Sequence, residues 1–308
     1  MSRIHSCIGI FLTLALIHLA AAAEKLDTAK IEQLTGAKGK LDEKEGVFKV
    51  SLPRSELKAG VDGIQLTPPM GLTCWAAFKS AGDHTMVMGD QVLTENQVNP
   101  VMSIALENGL HVTALHNHFA GEQPRIMFMH IGGMGDADKL AEAVGKVFQE
   151  ITRTASMKTE IRRVEIDPAK STLDPKKIDA ILAPSASPGE LAHGVYKVTI
   201  GRSTKMDGEE VGNAMGVNTW AAFAGSDEEA VIDGDFAMTE HELQAVLKTL
   251  RGHDINVVAI HNHMTGETPR IMFLHFWAIG PAEKLAAGIK AALDAQGAAA
   301  THDTHDHQ

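Results

Sequence analysis

The spacing of hydrophobic residues alternates between a helical and a strand-like period along the chain. The same order of periods occurs twice. Apolar residues recur every three or four positions over 98–106, which predicts an amphipathic helix, and the same period returns over 243–250. Thr94 with Gln97, and Thr239 with Glu242, form capping boxes that predict where these two helices begin. Asp174 followed by Pro175 predicts the start of the helix that opens the second copy. Residues 47–52 alternate between polar and apolar side chains instead, which predicts a half-buried strand.

The second part of each pattern predicts a hairpin followed by a helix. Residues 112–119 and 125–131 are predicted to form two strands joined by a tight turn at 121–124. Helical periods then follow over 137–148 and, in the other half, over 281–293. An opening helix at 27–34 and two strands, one at the Trp75 segment and one before Gly89, complete the order α-β-β-β-α-β-β-α. This order predicts an α+β fold with largely antiparallel sheets.

An internal repeat organises the whole chain. An offset of 145 residues carries the segment Gly71–Phe78 onto Gly216–Phe223, and it also carries His116–His118 onto His261–His263. Repeats of this kind indicate two copies of one structural unit. We therefore predict two tandem copies of one α/β module, related by a pseudo-two-fold axis.

The repeat and the chain ends together predict five segments. Residues 1–23 are predicted to be a signal peptide, 24–152 the first module, 153–170 a linker, 171–296 the second module, and 297–308 a disordered His-rich tail.

The predicted leader indicates an exported protein. Arg3 precedes an apolar stretch at 8–19, and Ala21 and Ala23 form an A-x-A site at which cleavage is expected. The apolar stretch is short for a membrane span, and no later stretch is apolar enough, so we expect no stable span after cleavage. An uncleaved anchor is the alternative. The predicted location is periplasmic or secreted.

The charge of the chain limits which partners are expected, and its cysteine content limits which disulfides can form. Without Arg3 the chain keeps 27 of its 28 Lys and Arg residues against 39 Asp and Glu, a formal charge of −12. Nucleic acid is therefore not an expected partner, because its binding needs clustered basic residues. Only Cys74 remains after cleavage, so an intramolecular disulfide is not expected.

The candidate chemistry lies in the predicted hairpin and is the same in both copies. His116 and His118 lie two apart on a predicted strand and thus share one face. A turn centred near Gln123 would make His130 the direct cross-strand neighbour of His116. Three imidazoles on one face suit a divalent transition metal, with zinc the first candidate, and a turn carboxylate can act as general base. The predicted metal ligands are His116, His118, His130, His261, His263 and His275, and the predicted bases are Glu122 and Glu267.

Each of these positions also has a structural interpretation. The histidines can be hydrogen-bonding groups that join the hairpin to the other module, and Glu122 can be a turn residue. Arg125 and Arg270 can bind an anionic ligand, or pair with a nearby acid, which we favour. Asp90 and Asp235 are expected mainly to stabilise Gly-Asp turns, with metal ligation as the alternative.

The repeated motifs also carry a family resemblance. The W-A-A-F segment, the H-N-H hairpin, the following P-R-I-M-F and the later histidine resemble the LppY/LpqO family of uncharacterised bacterial proteins. The resemblance covers both halves and implies an exported or envelope location, but no established activity, substrate or cofactor. Some relatives are named as lipoproteins. That feature is not expected here, because Cys7 lies at the start of the apolar stretch.

These observations favour a periplasmic metal-binding protein with one site per module or one shared site, and possible hydrolase activity. The alternative is a non-catalytic envelope module that binds an anionic or sugar ligand, in which histidine and arginine form hydrogen bonds without metal. A third hypothesis is metal handling through the His-rich tail. The small-molecule or envelope ligand itself is not identified by the sequence.

Overall fold

A computed structural model describes residues 26–156 and 164–303. Its main feature is a 12-stranded sheet in which every described strand pair is antiparallel. The α+β class, the antiparallel sheet and the duplicated module are thus confirmed. The predicted signal peptide, 1–23, lies outside the described residues.

The first module contains three α-helices and eight strands. In chain order they are α1 (Thr28–Thr35), β1 (Gly39–Asp42), β2 (Val47–Pro53), β3 (Gly60–Val61), β4 (Ile64–Gln65), β5 (Thr73–Ala81), β6 (His84–Thr94), α2 (Glu95–Glu107), β7 (His111–His116), β8 (Ile126–Gly135) and α3 (Ala137–Thr154).

The second module repeats this order. Its elements are α4 (Pro175–Leu182), β9 (Glu190–Ala192), β10 (Val195–Gly201), β11 (Thr204–Met206), β12 (Glu209–Val211), β13 (Asn218–Gly225), β14 (Ala230–Thr239), α5 (Leu243–Gly252), β15 (Asn256–His261), β16 (Ile271–Gly280) and α6 (Ala282–Asp303). Short 3-10 turns at Pro68–Met70, Pro168–Lys170 and Asn213–Met215 complete the two modules.

Both the sheet and the helix layer are symmetric about the junction of the modules. The strand order is β1-β2-β5-β6-β8-β7-β15-β16-β14-β13-β10-β9. The helices contact one another in the order α1-α3-α2-α5-α6-α4. Because each module contributes one half of each layer in mirrored order, the copies are related by a pseudo-two-fold axis between β7 and β15.

The two faces of the sheet differ in burial. On β5, Cys74, Ala76 and Phe78 are fully buried, whereas the alternate residue Trp75 is half-buried. The buried residues face the helix layer and form the core. The alternate residues form a second face, which we call the open face, and it carries the polar side chains discussed below.

Side-chain amides reinforce the junction in a reciprocal way. Asn99 on α2 accepts from the backbone N–H of Val257 (2.8 Å) and donates to its carbonyl (3.2 Å). Gln244 on α5, at the equivalent position, bonds the N–H of Val112 (3.0 Å) and its carbonyl (2.9 Å). Since each bond joins one module to the other, the modules form one continuous structure.

Helix starts follow the predicted signals with one exception. Thr94 and Gln97 form the predicted capping box, and Asp174 caps α4 with Pro175 in its first turn. The predicted second capping box is only half formed. Glu242 accepts the N–H of Thr239 (2.8 Å), but α5 begins after it. Glu242 is buried and also forms a bidentate pair with Arg202 (2.9 and 3.1 Å).

Two further differences concern element boundaries. The predicted disordered tail at 297–308 is wrong for residues 297–303, because α6 continues to Asp303 through an alanine-rich stretch that favours helix. The rest of that tail lies outside the described residues. Strand β1 and the short hairpins were not predicted, since they are too short to show a period.

Among the described helices, none combines the length and apolar character that a membrane span requires.

Candidate metal centres

A nine-residue loop follows β7 and carries the second histidine of each cluster. In module one this histidine loop lies between His116 and Ile126. The short hairpin β3–β4 holds its far end, because Gly60 and Gln123 exchange two backbone hydrogen bonds of 3.0 Å. Lys205 and Thr268 make the equivalent pair in module two (3.2 and 2.9 Å). The loop is therefore tied at both ends.

The predicted register of the hairpin is wrong by two residues. His116 pairs with Phe128, and His130 pairs with Ala114, so His130 is the diagonal neighbour of His116. The cause is that the connection is a wide loop, closed by side chains, rather than a tight turn. Since a shift of two residues preserves the face, His116 and His130 still point to the same side.

In module one the three predicted imidazoles form a cluster on the open face. The ring of His116 lies 5.2 Å from that of His118 and 5.1 Å from that of His130, centroid to centroid. His118 lies beyond the end of β7, and stacking on the buried ring of Phe128 at 3.3 Å holds it in place. The three histidines predicted from the sequence are thus brought together.

The cluster of module two is tighter. The His261 ring lies 5.0 Å from the His263 ring and 4.8 Å from the His275 ring. Nε2 of His263 lies 3.1 Å from Nε2 of His261. His263 stacks on Phe273 at 3.5 Å, as its counterpart does in module one.

A buried aspartate completes each cluster. Asp90 is the cross-strand partner of His130, and Asp235 is that of His275. Oδ2 of Asp235 lies 3.3 Å from Nε2 of His263. The ligand atoms of Asp235, His261 and His263 all lie within 4.8 Å of one another, which is a spacing that can hold a metal ion. The Gly-Asp pattern predicts mainly turn residues, whereas both aspartates lie within strands. Their position opposite the histidine could be inferred only from the strand pairing.

Burial shifts the pKa of one histidine in each cluster and of one aspartate. Burial lowers the pKa of His118 below its ordinary value. Burial, with the nearby His275 and His263, likewise lowers the pKa of His261. Burial raises the pKa of Asp235, although His275 and His263 oppose the change. Neutral imidazole is the form that binds metals.

The two predicted general bases lie in the histidine loops and are buried. Oε1 of Glu122 accepts from the side-chain amide of Asn117 and from the N–H of Ile126, both at 3.3 Å. Oε1 of Glu267 accepts the N–H of Ile271 at 3.1 Å, while its Oε2 is buried with no partner among the described residues. These contacts close the loop. The general-base role stays a prediction.

The two predicted ligand-binding arginines are exposed and lie beside acids. Nε of Arg125 lies 3.9 Å from Glu95, and Nη1 of Arg270 lies 3.4 Å from Glu240. This is the pairing that we favoured from the sequence. Exposed pairs of this kind are weak, so the guanidinium groups remain accessible to an anion.

A cleft of about 540 Å³ lies at the junction of the modules. Its lining includes His116 and Arg125 from module one, and His261 and Trp277 from module two. One histidine of each cluster therefore lines the same cleft. Ligand sites commonly occupy such junctions.

The fold and the site define a class of tandem-duplicated α+β proteins with a His-and-Asp cluster in each copy. Within that class, the chain belongs to the family described as Domain of Unknown Function (DUF1259), whose model matches residues 29–150 and 176–295. The two matches agree with the duplication. A comparison with functionally curated proteins finds no match.

One similarity to a solved structure is distant. A trimeric bacterial microcompartment shell protein, PduB, is 9% identical over 83% of this chain and 89% of the shell protein, with a TM-score of 0.23. A similarity at that level carries no argument about this chain.

Proposed function

We propose that the protein binds a divalent transition metal, with zinc the first candidate, at one site in each module. The proposed ligands in module one are Asp90, His116, His118 and His130. Those in module two are Asp235, His261, His263 and His275. The observation that carries the proposal is that Asp235, His261 and His263 have ligand atoms within 4.8 Å of one another, and that the equivalent side chains of module one lie at equivalent places on the open face. A duplication kept for packing alone would not need to preserve this set of side chains.

Distances in module two match a tetrahedral site. Zinc–ligand bonds of about 2.0–2.1 Å place neighbouring ligand atoms of a tetrahedron about 3.3 Å apart. Nε2 of His263 lies 3.1 Å from Nε2 of His261 and 3.3 Å from Oδ2 of Asp235. Two of the three distances among these ligand atoms thus match the tetrahedral spacing, and all three lie within 4.8 Å.

Unpartnered polar atoms support the same proposal. Oδ1 of both Asp90 and Asp235 is buried and has no hydrogen-bond partner among the described residues. Leaving such an atom unpaired costs about 1–3 kcal/mol, and more when the group is charged. A bound cation would compensate both carboxylates.

A backbone carbonyl also orients one of the proposed ligands. Nδ1 of His275 lies 3.3 Å from the carbonyl oxygen of Gly234. A proton on Nδ1 would be donated to that oxygen, which leaves Nε2 with a free lone pair for the metal. Hydrogen bonds of this kind are common on the second nitrogen of metal-binding histidines.

Hydrolysis is the reaction that such a site would support most readily. Since the four proposed ligands would fill a tetrahedral site, hydrolysis would require a fifth coordination position for water, whose pKa the metal would lower. Glu122 and Glu267 remain the proposed bases, and Glu267 has the free oxygen Oε2 for that role. The substrate would be a small molecule or an envelope component that enters the cleft.

Metal content tests the binding proposal. Tag-free protein is purified without chelator and compared with a His116→Ala/His261→Ala double variant by elemental analysis. We expect close to two equivalents of one metal in the wild type and a loss of at least half in the variant. A His84→Ala/His111→Ala variant is the matched control, because both of those histidines are exposed and lie outside the clusters. No metal after purification and none after reconstitution would reject the proposal.

The cleft favours a second candidate function, a non-catalytic envelope module for an anionic or sugar ligand. Arg125 could bind an anionic group there, and Trp277 could stack against a sugar ring. Thermal-shift titrations with sugar phosphates, in the presence of a chelator, test this candidate. Binding that an Arg125→Ala variant loses would support it, and binding that strictly requires added metal would reject it.

Export and the narrower family assignment complete the proposal. The leader-like residues 1–23 and the LppY/LpqO resemblance support a periplasmic or secreted protein, without a nucleic-acid partner. N-terminal sequencing of protein recovered from the periplasm tests this point. A mature chain that begins at Glu24 is the expected result, and an intact leader on a membrane-bound chain would contradict it.

A further inference from the structure

Three methionines lie together on the open face of module one, outside the histidine cluster. Met86 and Met88 are on β6, and Met134 is on β8. Met86 and Met134 are direct cross-strand partners, and Met88 lies two residues along the same face. We call these three residues the methionine patch.

The methionine patch exposes three large apolar side chains to solvent. Met88 and Met134 are 59% and 60% exposed, and Met86 is 37% exposed. Large apolar side chains that are exposed together mark a surface with a function more often than scattered ones do. The neighbouring positions on this face, Asp90 and His130, are polar, so the patch is not an extension of the core.

The geometry points to a binding site for a soft monovalent metal ion, Cu(I), held by the three thioether sulfurs. Thioethers are soft ligands that select Cu(I) over harder ions. Cross-strand partners have Cβ atoms about 4.5–5.5 Å apart, and diagonal neighbours are within reach of long side chains. Methionine is unbranched with three rotatable bonds, so three such side chains can converge on one ion.

The strand opposite Met88 leaves room for this convergence. The cross-strand partner of Met88 is Gly132, which has no side chain. The space beside Gly132 is open, because a Cβ added there would contact only the carbonyl oxygen of Val87, at 3.7 Å. On the other side, Met88 faces Ala77 and Met86 faces Lys79. A small residue on each side of Met88 keeps its sulfur unobstructed.

Module two does not carry the same ligands. The repeat places Val231, Asp233 and Ile279 at the three methionine positions, and Trp277 at the position of Gly132. The duplicated fold therefore does not require methionine there. The patch is a property of module one alone, unlike the histidine clusters.

Anaerobic Cu(I) titration of the full-length protein against a chromogenic Cu(I) chelator tests the inference. A Met86→Leu/Met88→Leu/Met134→Leu variant keeps similar volume and removes the sulfurs. We expect it to bind one Cu(I) equivalent fewer than the wild type, with the affinity for that equivalent lowered at least 100-fold. A Met70→Leu/Met215→Leu variant is the matched control, because both residues are exposed methionines elsewhere. If the triple variant fails to fold, Met88→Leu alone serves, because that side chain is mostly exposed.

The outcomes separate this site from the proposed histidine sites. Unchanged zinc content in the triple variant, with Cu–S scattering lost from its X-ray absorption spectrum, would support the inference. Equal Cu(I) binding by wild type and triple variant would overturn it. A wild-type dimer that Met88→Lys dissociates, without any difference in Cu(I) binding, would also overturn it and assign the patch to self-association.

Discussion

Leu115 and Ile260 occupy equivalent positions in the two modules and pair with each other across the junction of β7 and β15. A residue and its own counterpart can be directly opposed only near a two-fold axis. The next residues in the two strands, His116 and His261, therefore lie on one face on either side of that axis. This relationship places the two proposed metal sites next to each other at the centre of a continuous sheet.

The amides at the junction are expected to stabilise the whole protein. Asn99→Ala removes both bonds to Val257 and leaves its N–H without that partner, which should lower the free energy of unfolding by about 2 kcal/mol. Gln244→Ala should cost a similar amount at Val112. Urea denaturation followed by circular dichroism measures both. Gln149→Ala on the exposed side of α3 is the control and should change stability by less than about 0.5 kcal/mol. An Asn99→Ala variant as stable as this control would contradict the expectation.

The single described cysteine is expected to be inert in the folded protein. Burial raises the pKa of the Cys74 thiol to about 11, and its Sγ accepts the N–H of Val92 at 3.2 Å. At pH 8 this leaves about a hundredfold less thiolate than an unperturbed thiol has. Alkylation should therefore be slow in native protein and fast in guanidinium chloride. Equal rates in both conditions would contradict the buried position.

The repeat also supplies a replacement for that cysteine. Thr219 is its counterpart in module two, and its hydroxyl accepts the N–H of Ala237 at 2.9 Å. Cys74→Thr should preserve this type of contact and change stability by about 1 kcal/mol or less. Cys74→Leu, which cannot accept that bond, should cost more. Thermal unfolding compares the two variants, and a larger loss for threonine than for leucine would argue against the equivalence.

The buried aspartates are expected to increase the affinity for metal and to lower the stability of the metal-free protein. Asp90→Asn and Asp235→Asn remove a buried charge with an unpartnered oxygen, so the metal-free variants should be at least as stable as wild type. Zinc affinity should nevertheless fall at least tenfold. Calorimetric titration with zinc and denaturation in chelator measure the two effects. Asp83→Asn, at an exposed turn, is the control and should alter neither. Lower stability without weaker zinc binding would indicate a purely structural aspartate.

Local signals in the sequence were sufficient for much of the fold. The offset that relates His116 to His261 predicted the duplication, and the capping box at Thr94 predicted where α2 begins. The repeat is detected by comparing the sequence with itself, and the capping box depends on contacts within a few residues. The same is true of Asp174, which caps α4 as expected.

Features that depend on distant contacts could not be predicted in this way. The hairpin register was wrong because Asn117 and Glu122 close a wide loop, and no period reveals such bonds. The start of α5 also differs from the prediction, and Glu242 pairs with Arg202, which is far away in sequence. Asp90 joins the histidine cluster through pairing of β6 with β8, which sequence spacing alone does not reveal.

Anomalous diffraction from crystals grown with zinc tests whether the two histidine clusters bind metal. Two strong peaks are expected at the zinc absorption edge, one among Asp90, His116, His118 and His130, and one among the equivalent residues of module two. Each peak should lie about 2.0–2.2 Å from its ligand atoms. Peaks confined to other surface groups, or no peak in either cluster at saturating zinc, would contradict metal binding by the two clusters.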